Sequence, residues 1–282
     1  MESTTNQRRG DNMKVIALDA GHGFHTSGKR VTLKGYPDTR EWWMNDRIID
    51  IVENELRNNY ECKVIRVDDT TGQNDISLSK RVATANSANA DVYFSMHHDA
   101  GLNGRSGGGT TVFYYSNDIK RRDQAQKLYN YITDETKLYG NRSQQVIKKG
   151  FYVIKNTKMP AFLVENGFMD SPTDVPIILT QEHAEKTARG VLAFLVEQFC
   201  IEPKMSAEND NNKASEVSQY YPKYNGPKTT LYNAMTSLGI DGSYAHRKEI
   251  AKANGFVGYV GLASQNVQMY NMLTSGLLKK EK

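Results

Sequence analysis

Cysteine is scarce in this sequence, with two in 282 residues. Cys62 and Cys200 have no partner spacing, which excludes a disulfide framework and a cysteine-built metal knuckle. One has a strand-like and the other a helix-like context, so both read as reduced packing residues of a chain made in a reducing cytoplasm. No apolar run approaches the ~18 residues of a membrane span. Residues 1–12 lack the apolar stretch of a secretory signal, so Arg8-Arg9 does not read as a twin-arginine signal. That segment is expected to be a disordered tail. Charge of one sign is also sparse, at a net +4, and no nucleic-acid partner is expected.

What is present begins with Val15-Ile16-Ala17-Leu18-Asp19-Ala20-Gly21-His22-Gly23. Four apolar residues in a row predict a strand buried on both faces, as in a parallel sheet. The glycines allow a sharp turn that leaves His22 on the sheet rim, where α/β proteins bind ligands. Residues 24–40 form an aperiodic loop in which nothing fixes His25. Met44, Ile48, Ile51, Val52 and Leu56 give residues 41–58 one apolar helical face. Glu41 lies in the first turn of that helix, where a carboxylate also complements the helix dipole. Residues 62–67 predict a second strand, so strand, helix and strand already alternate as in an α/β fold.

A short helix over 77–89 leads to a third strand over 91–97, ending in Ser95-Met96-His97-His98-Asp99. Strand side chains alternate between faces, so His97 and His98 cannot both aim at one ion. One is a ligand candidate; the other faces solvent or supports the site from outside. Residues 110–115 predict a strand, 117–139 a helix, 151–155 and 161–164 short strands, and 181–200 a closing helix. The last short strand ends in Glu165-Asn166-Gly167-Phe168.

His22, His97 and Glu165 thus each stand at the carboxyl end of a strand, and Glu41 opens the helix after the first. Two imidazoles and a carboxylate form the ligand set of a catalytic zinc with a fourth position open. A second carboxylate is what hydrolysis needs as general base. The residues alone leave open which glutamate is the ligand.

Asp19-Ala20-Gly21-His22-Gly23, Glu41 with Asn45 four later, Leu78 to Asn86 leading into Ala90-Asp91, Ser95-Met96-His97, and the run from Pro160 to Phe168 occur in that order. Together they resemble the zinc-dependent N-acetylmuramoyl-L-alanine amidases of the amidase-3 type, found in phage endolysins and bacterial cell-wall hydrolases. The resemblance covers residues 13–200. It implies His22, Glu41 and His97 as Zn2+ ligands, Glu165 as the catalytic carboxylate, and a mixed, mostly parallel sheet of about six strands flanked by helices. It implies hydrolysis of the amide between muramic acid and the first L-alanine of the stem peptide. Phe24 stands where the family usually has a second glycine, and His98-Asp99 where a small residue and asparagine are usual. Asp19, Arg81 and Asn166 are candidates for supporting roles.

Residues 201–219 are polar and aperiodic, a linker that as a flexible coil would span roughly 22–26 Å. Residues 220–282 follow, with helical stretches over 229–238, 244–254 and 263–274, forming a small all-α domain. It carries eight Lys or Arg against three Asp or Glu. A basic module with several tyrosines suits an anionic polymer of a Gram-positive wall, and it resembles the small wall-binding modules at the carboxyl end of some endolysins. About 60 residues give a marginal core, which leaves room for a homodimer through this module. The expected whole is a phage endolysin made in the host cytoplasm without a signal peptide, acting on the peptidoglycan after release. The alternatives are a wall-binding protein whose amidase fold is inactive, and a zinc peptidase cutting within the stem peptide.

Overall fold

The computed structural model describes residues 13–140, 145–204, 220–227, 230–256, 259, 261 and 263–281. The expected N-terminal tail and residues 205–219 of the expected linker lie outside these. The chain divides into two units, Met1–Glu202 and Pro203–Lys282.

The strands of the first unit are β1 (Lys14–Ala20), β2 (Cys62–Arg66), β3 (Val92–Asp99), β4 (Thr110–Tyr114), β5 (Val146–Lys148) and β6 (Ala161–Phe168). They form one sheet in the order β2-β1-β3-β6-β4-β5. Every pairing is parallel except that of β4 with β6. The sheet is therefore mixed and mostly parallel, as the sequence led us to expect. Ile16, Leu18, Phe94, Phe162 and Val164 are wholly buried, which is why these strands read as near-continuous apolar runs.

Around the sheet lie α1 (Glu41–Asn59), α2 (Leu78–Ser87), α3 (Ile119–Thr136), α4 (Tyr152–Lys155), α5 (Val175–Ile178) and α6 (Gln181–Phe199). Helices α1 and α3 both pack on α6. Helices α2 and α4 pack on each other, and their Val82, Ala85, Val153 and Ile154 share a core cluster with Ala17, Tyr93 and Leu163 of the sheet. One expectation is corrected here. Residues 151–155 were expected as a strand, but Ile154 and Lys155 both donate to the Phe151 carbonyl and 152–155 form a helical turn. An apolar run this short has no period that distinguishes strand from helix. The edge strand of this region is β5, just before it.

Helix ends follow their capping residues. Ser77, Asp118 and Thr180 each accept a backbone N–H of the first turn of α2, α3 and α6. Cys200 closes α6 in a left-handed conformation with φ 52°. Ile201 is buried, and the Glu202 carbonyl accepts from Glu61, so both residues belong to the first unit.

The second unit holds α7 (Leu231–Ser237), α8 (Tyr244–Ala253) and α9 (Ala263–Ser275). Leu231, Met235, Ile250, Met269, Leu273 and Leu278 form its core. An isolated bridge from Tyr220 to Lys279 joins its two ends.

Candidate metal centre

Parallel register brings the functional strands together. Asp19 pairs with Ser95, and His97 with Glu165. Paired residues share a face, so Asp19, Ser95, His97 and Glu165 lie on the α2 side of the sheet, and His98 on the α1 side.

Gly21 and His22 leave β1 in a tight turn. The ring of His97 lies over Gly21 so closely that a Cβ there would fall 2.0 Å from His97 Cε1, so only glycine fits. His22 itself adopts a left-handed φ of 68°. Holding a non-glycine residue there costs of order 1 kcal/mol or more, and the surroundings must hold it in place. Arg81 does so. Its wholly buried guanidinium donates to the carbonyls of Ala20 (2.9 Å), His22 (2.8 Å) and Ile76 (2.8 Å) and pairs with Asp19. Tyr93 and Ser95 complete the Asp19 carboxylate at 2.6 and 2.7 Å. These partners hold Asp19 ionised below the usual carboxylate range against the opposing effect of burial. Arg81 and Asp19 thus shape the turn that carries His22.

Glu41 enters from the first turn of α1 and is fully buried. Its Oε1 lies 3.4 Å from His22 Nε2 and 3.1 Å from His97 Nδ1, and it accepts the His98 backbone N–H at 3.2 Å. One turn on, Asn45 donates to the Gly21 carbonyl at 3.1 Å and meets His98 Nδ1 at 2.8 Å. His98 is 2% exposed, so it does not face solvent but braces α1 from outside the cluster. His25 is exposed, stacked edge-on against Phe24, and takes no part. Asn166 donates to His183 Nε2 at 2.9 Å.

His22, Glu41 and His97 are the one group of three among the described residues whose ligand-type atoms all lie within 4.8 Å of one another. They fit a zinc ion by a simple test. Ligands about 2.0–2.1 Å from a tetrahedral ion stand about 3.3 Å apart, and the Glu41 contacts with the two imidazoles measure 3.4 and 3.1 Å. The charges of His22 and Glu41 fit as well, whereas the Glu41 hydrogen bond and the Glu165 charge raise His97 against the effect of burial, so that it would release a proton on binding a metal. Burial lowers His22 to about 4, so it is neutral at neutral pH. Burial would raise Glu41, but the His97 hydrogen bond and the nearby charges overcome it and keep the carboxylate ionised.

Glu165 stands beside His97 without joining the group. Burial, with Glu41 and Asp99 adding like charge, raises its carboxyl well above the usual range. Its Oε2 is buried with no hydrogen-bond partner among the described residues. A groove of about 490 Å³ runs past His22, His97 and Glu165, with Lys29, Leu78 and Tyr152 on its walls. The sequence singled out Asn45 by its spacing of one turn after Glu41 but not its partners, and it did not mark Lys29 or His183: Lys29 sits in an aperiodic loop and His183 far along the chain.

A family model described as N-acetylmuramoyl-L-alanine amidase matches residues 16–197. The probable cell wall amidase LytH of Staphylococcus aureus is 29% identical over 179 residues, 64% of this chain and 56% of that protein. The chain therefore matches little more than half the length of this curated relative. An N-acetylmuramoyl-L-alanine amidase from Clostridium difficile 630 superposes with a TM-score of 0.59 at 25% identity, covering 67% of this chain and 98% of the other. The catalytic domain of CwlV from Bacillus (Paenibacillus) polymyxa gives 0.59 at 24% identity, covering 67% of this chain and all of that domain, and supports the fold.

Proposed function

Since the chain belongs to the N-acetylmuramoyl-L-alanine amidase family, we propose that its first unit hydrolyses the amide between N-acetylmuramic acid and the L-alanine of the stem peptide, with zinc held by His22, Glu41 and His97. The observation that carries this reading is the three-residue cluster with Glu165 paired to His97 across β3 and β6. A bound zinc would supply Lewis acidity, acidifying a water from 15.7 toward ~7 and polarising the amide carbonyl.

The remaining chemistry belongs to side chains of this chain. Glu165 accepts the proton of the attacking water and delivers it to the nitrogen of the departing alanine. A carboxyl whose pKa is raised suits both halves of that task, since it takes a proton and still releases it. His22 and His97 would bind the metal as neutral imidazoles, His97 giving up its proton to do so, and the Arg81 and Asn45 hydrogen bonds hold the turn that carries His22 in place before substrate arrives. The groove positions the sugar and the peptide on either side of the scissile bond. A structural zinc would be closed by a fourth protein ligand, and among the described residues none joins these three.

For the whole chain, the reading is a phage endolysin that lyses its host. The second unit is proposed as an anchor for anionic polymer of a Gram-positive wall, supported by its separate core and its eight basic against three acidic residues. No helix among the described residues is long and apolar enough to cross a membrane.

Mass spectrometry of digested peptidoglycan tests the activity. We expect free stem peptides beginning with L-alanine, no products of chelator-treated enzyme, and recovery on adding zinc. Glu165→Gln should keep about one zinc per chain and lose about 10²–10⁴-fold in rate. Cleavage inside the stem peptide would establish a peptidase instead. A Glu165→Gln enzyme of near wild-type rate would remove Glu165 from the mechanism.

A further inference from the structure

The two oxygens of Glu41 have different surroundings. Oε1 faces both imidazoles and the His98 N–H. Oε2 is buried and has no hydrogen-bond partner among the described residues. The ion pair at Oε2 is with Lys29, whose Nζ stands 3.7 Å away.

This placement of Lys29 is built by its backbone. The Lys29 carbonyl accepts the N–H of Glu41 at 3.0 Å, so the lysine sits directly against the start of α1. Residues 30–40 fold back on themselves, with a bridge between Arg30 and Arg40, a hydrogen bond from Val31 to the Thr39 carbonyl and an ion pair between Arg30 and Asp38. The lysine side chain is 42% exposed on the groove wall, while that of Glu41 is 1% exposed. A flexible ammonium therefore reaches from solvent to a carboxylate oxygen that has no hydrogen-bond partner among the described residues.

We propose that Lys29 is a positioning residue of this centre: its ammonium holds Oε2 of Glu41, so that the carboxylate presents Oε1 alone to the cluster. The inference rests on the reading that the cluster holds zinc. A carboxylate can bind a metal through one oxygen or both, and the second mode fills a position that a catalytic site leaves for water or substrate. A charge-assisted hydrogen bond to Oε2 favours the first mode. At 3.7 Å the contact is an ion pair, a few tenths of an ångström longer than a hydrogen bond. Outer partners of this kind commonly matter 10–100-fold in metal affinity.

The test uses the full-length protein with Lys29→Met and Lys29→Arg. Zinc affinity is read by competition with a chromophoric chelator, and coordination by the visible absorption of the cobalt(II)-substituted protein, which weakens as the ligand number rises above four. Lys29→Met should bind zinc about tenfold or more weakly and show reduced cobalt absorption per ion. Lys29→Arg should retain both properties. The melting temperature of the chelated protein should change only slightly in either variant, because the backbone contacts at residue 29 survive and the ion pair is half open to solvent. A Lys29→Met protein with wild-type affinity and spectrum overturns the inference and leaves the metal reading standing. So does one that melts earlier when chelated yet keeps the wild-type cobalt spectrum, which would mark a merely structural role. Wild-type protein that takes up no zinc overturns both.

Discussion

His97 and His98 are adjacent in the chain and opposite in environment. Alternation along β3 puts one ring against His22 and Glu41 and the other under α1 against Asn45. His97→Ala should therefore lose zinc. His98→Ala should keep it, but Asn45 Oδ1 would lose its partner in a buried site, at a cost of about 1–3 kcal/mol. Metal analysis and denaturant melts separate the two, and the reverse pattern would mean a one-residue slip of β3. The sequence made this pair legible because strand periodicity needs only local residues. It did not reveal what His98 touches, since Asn45 lies 53 positions away. Lys29 was hidden for another reason: its place is set by a loop folding back on itself, which has no period.

At the scale of elements, the long apolar runs of β1, β3 and β6 and the amphipathic faces of α1 and α6 could be read in advance. Helix α4 could not, since four residues favour neither strand nor helix until they meet a partner. The start of α6 carries another feature that only packing shows. His183 is 3% exposed, accepts from Asn166 and lies near Thr187. Burial, aided by the charges of Arg47 and Lys186, lowers its pKa to about 4. The unfolded chain then binds a proton near pH 6.5 that the folded chain refuses until about pH 4. This contribution to stability is fully present above pH 6.5 and is lost as pH falls toward 4, amounting to up to about 3 kcal/mol. Chemical denaturation between pH 4 and 7 should show wild type losing more stability than His183→Gln. Equal slopes would mean that His183 accepts its proton without cost.

For the molecule as a whole, charge is divided unequally between two cores. Residues 220–282 carry a net excess of five basic residues while the chain totals +4. If that segment anchors the enzyme, the fragment alone should bind purified walls without lysing them. Residues 13–202 should cleave soluble muropeptides yet lyse intact cells poorly at low concentration, because tethering raises the effective substrate concentration. Binding through lysine and arginine should weaken steeply across a salt series, since exposed charges are screened within ~8 Å at 0.15 M. Binding insensitive to salt would point to a tyrosine-lined pocket. No binding at any salt would leave the segment as an oligomerisation module, which sedimentation would reveal. The sequence showed this division through composition alone, which can suggest an anionic partner but not identify it.

The strand order also bears on how the enzyme comes into being. In the sheet, β6 sits between β3 and β4 although it is the last strand made. A nascent chain therefore emerges with His22, Glu41 and His97 well before Glu165 exists, and with β3 lacking a neighbour on one side. At about 5–20 residues per second, roughly 3–14 s of translation separate His97 from Glu165. Sheet closure must wait for that pairing, as for any fold dominated by distant contacts. The ribosome thus releases the proposed metal ligands first and the proposed proton carrier last, and on that reading no chain gains hydrolytic competence until nearly the whole first unit has been synthesised.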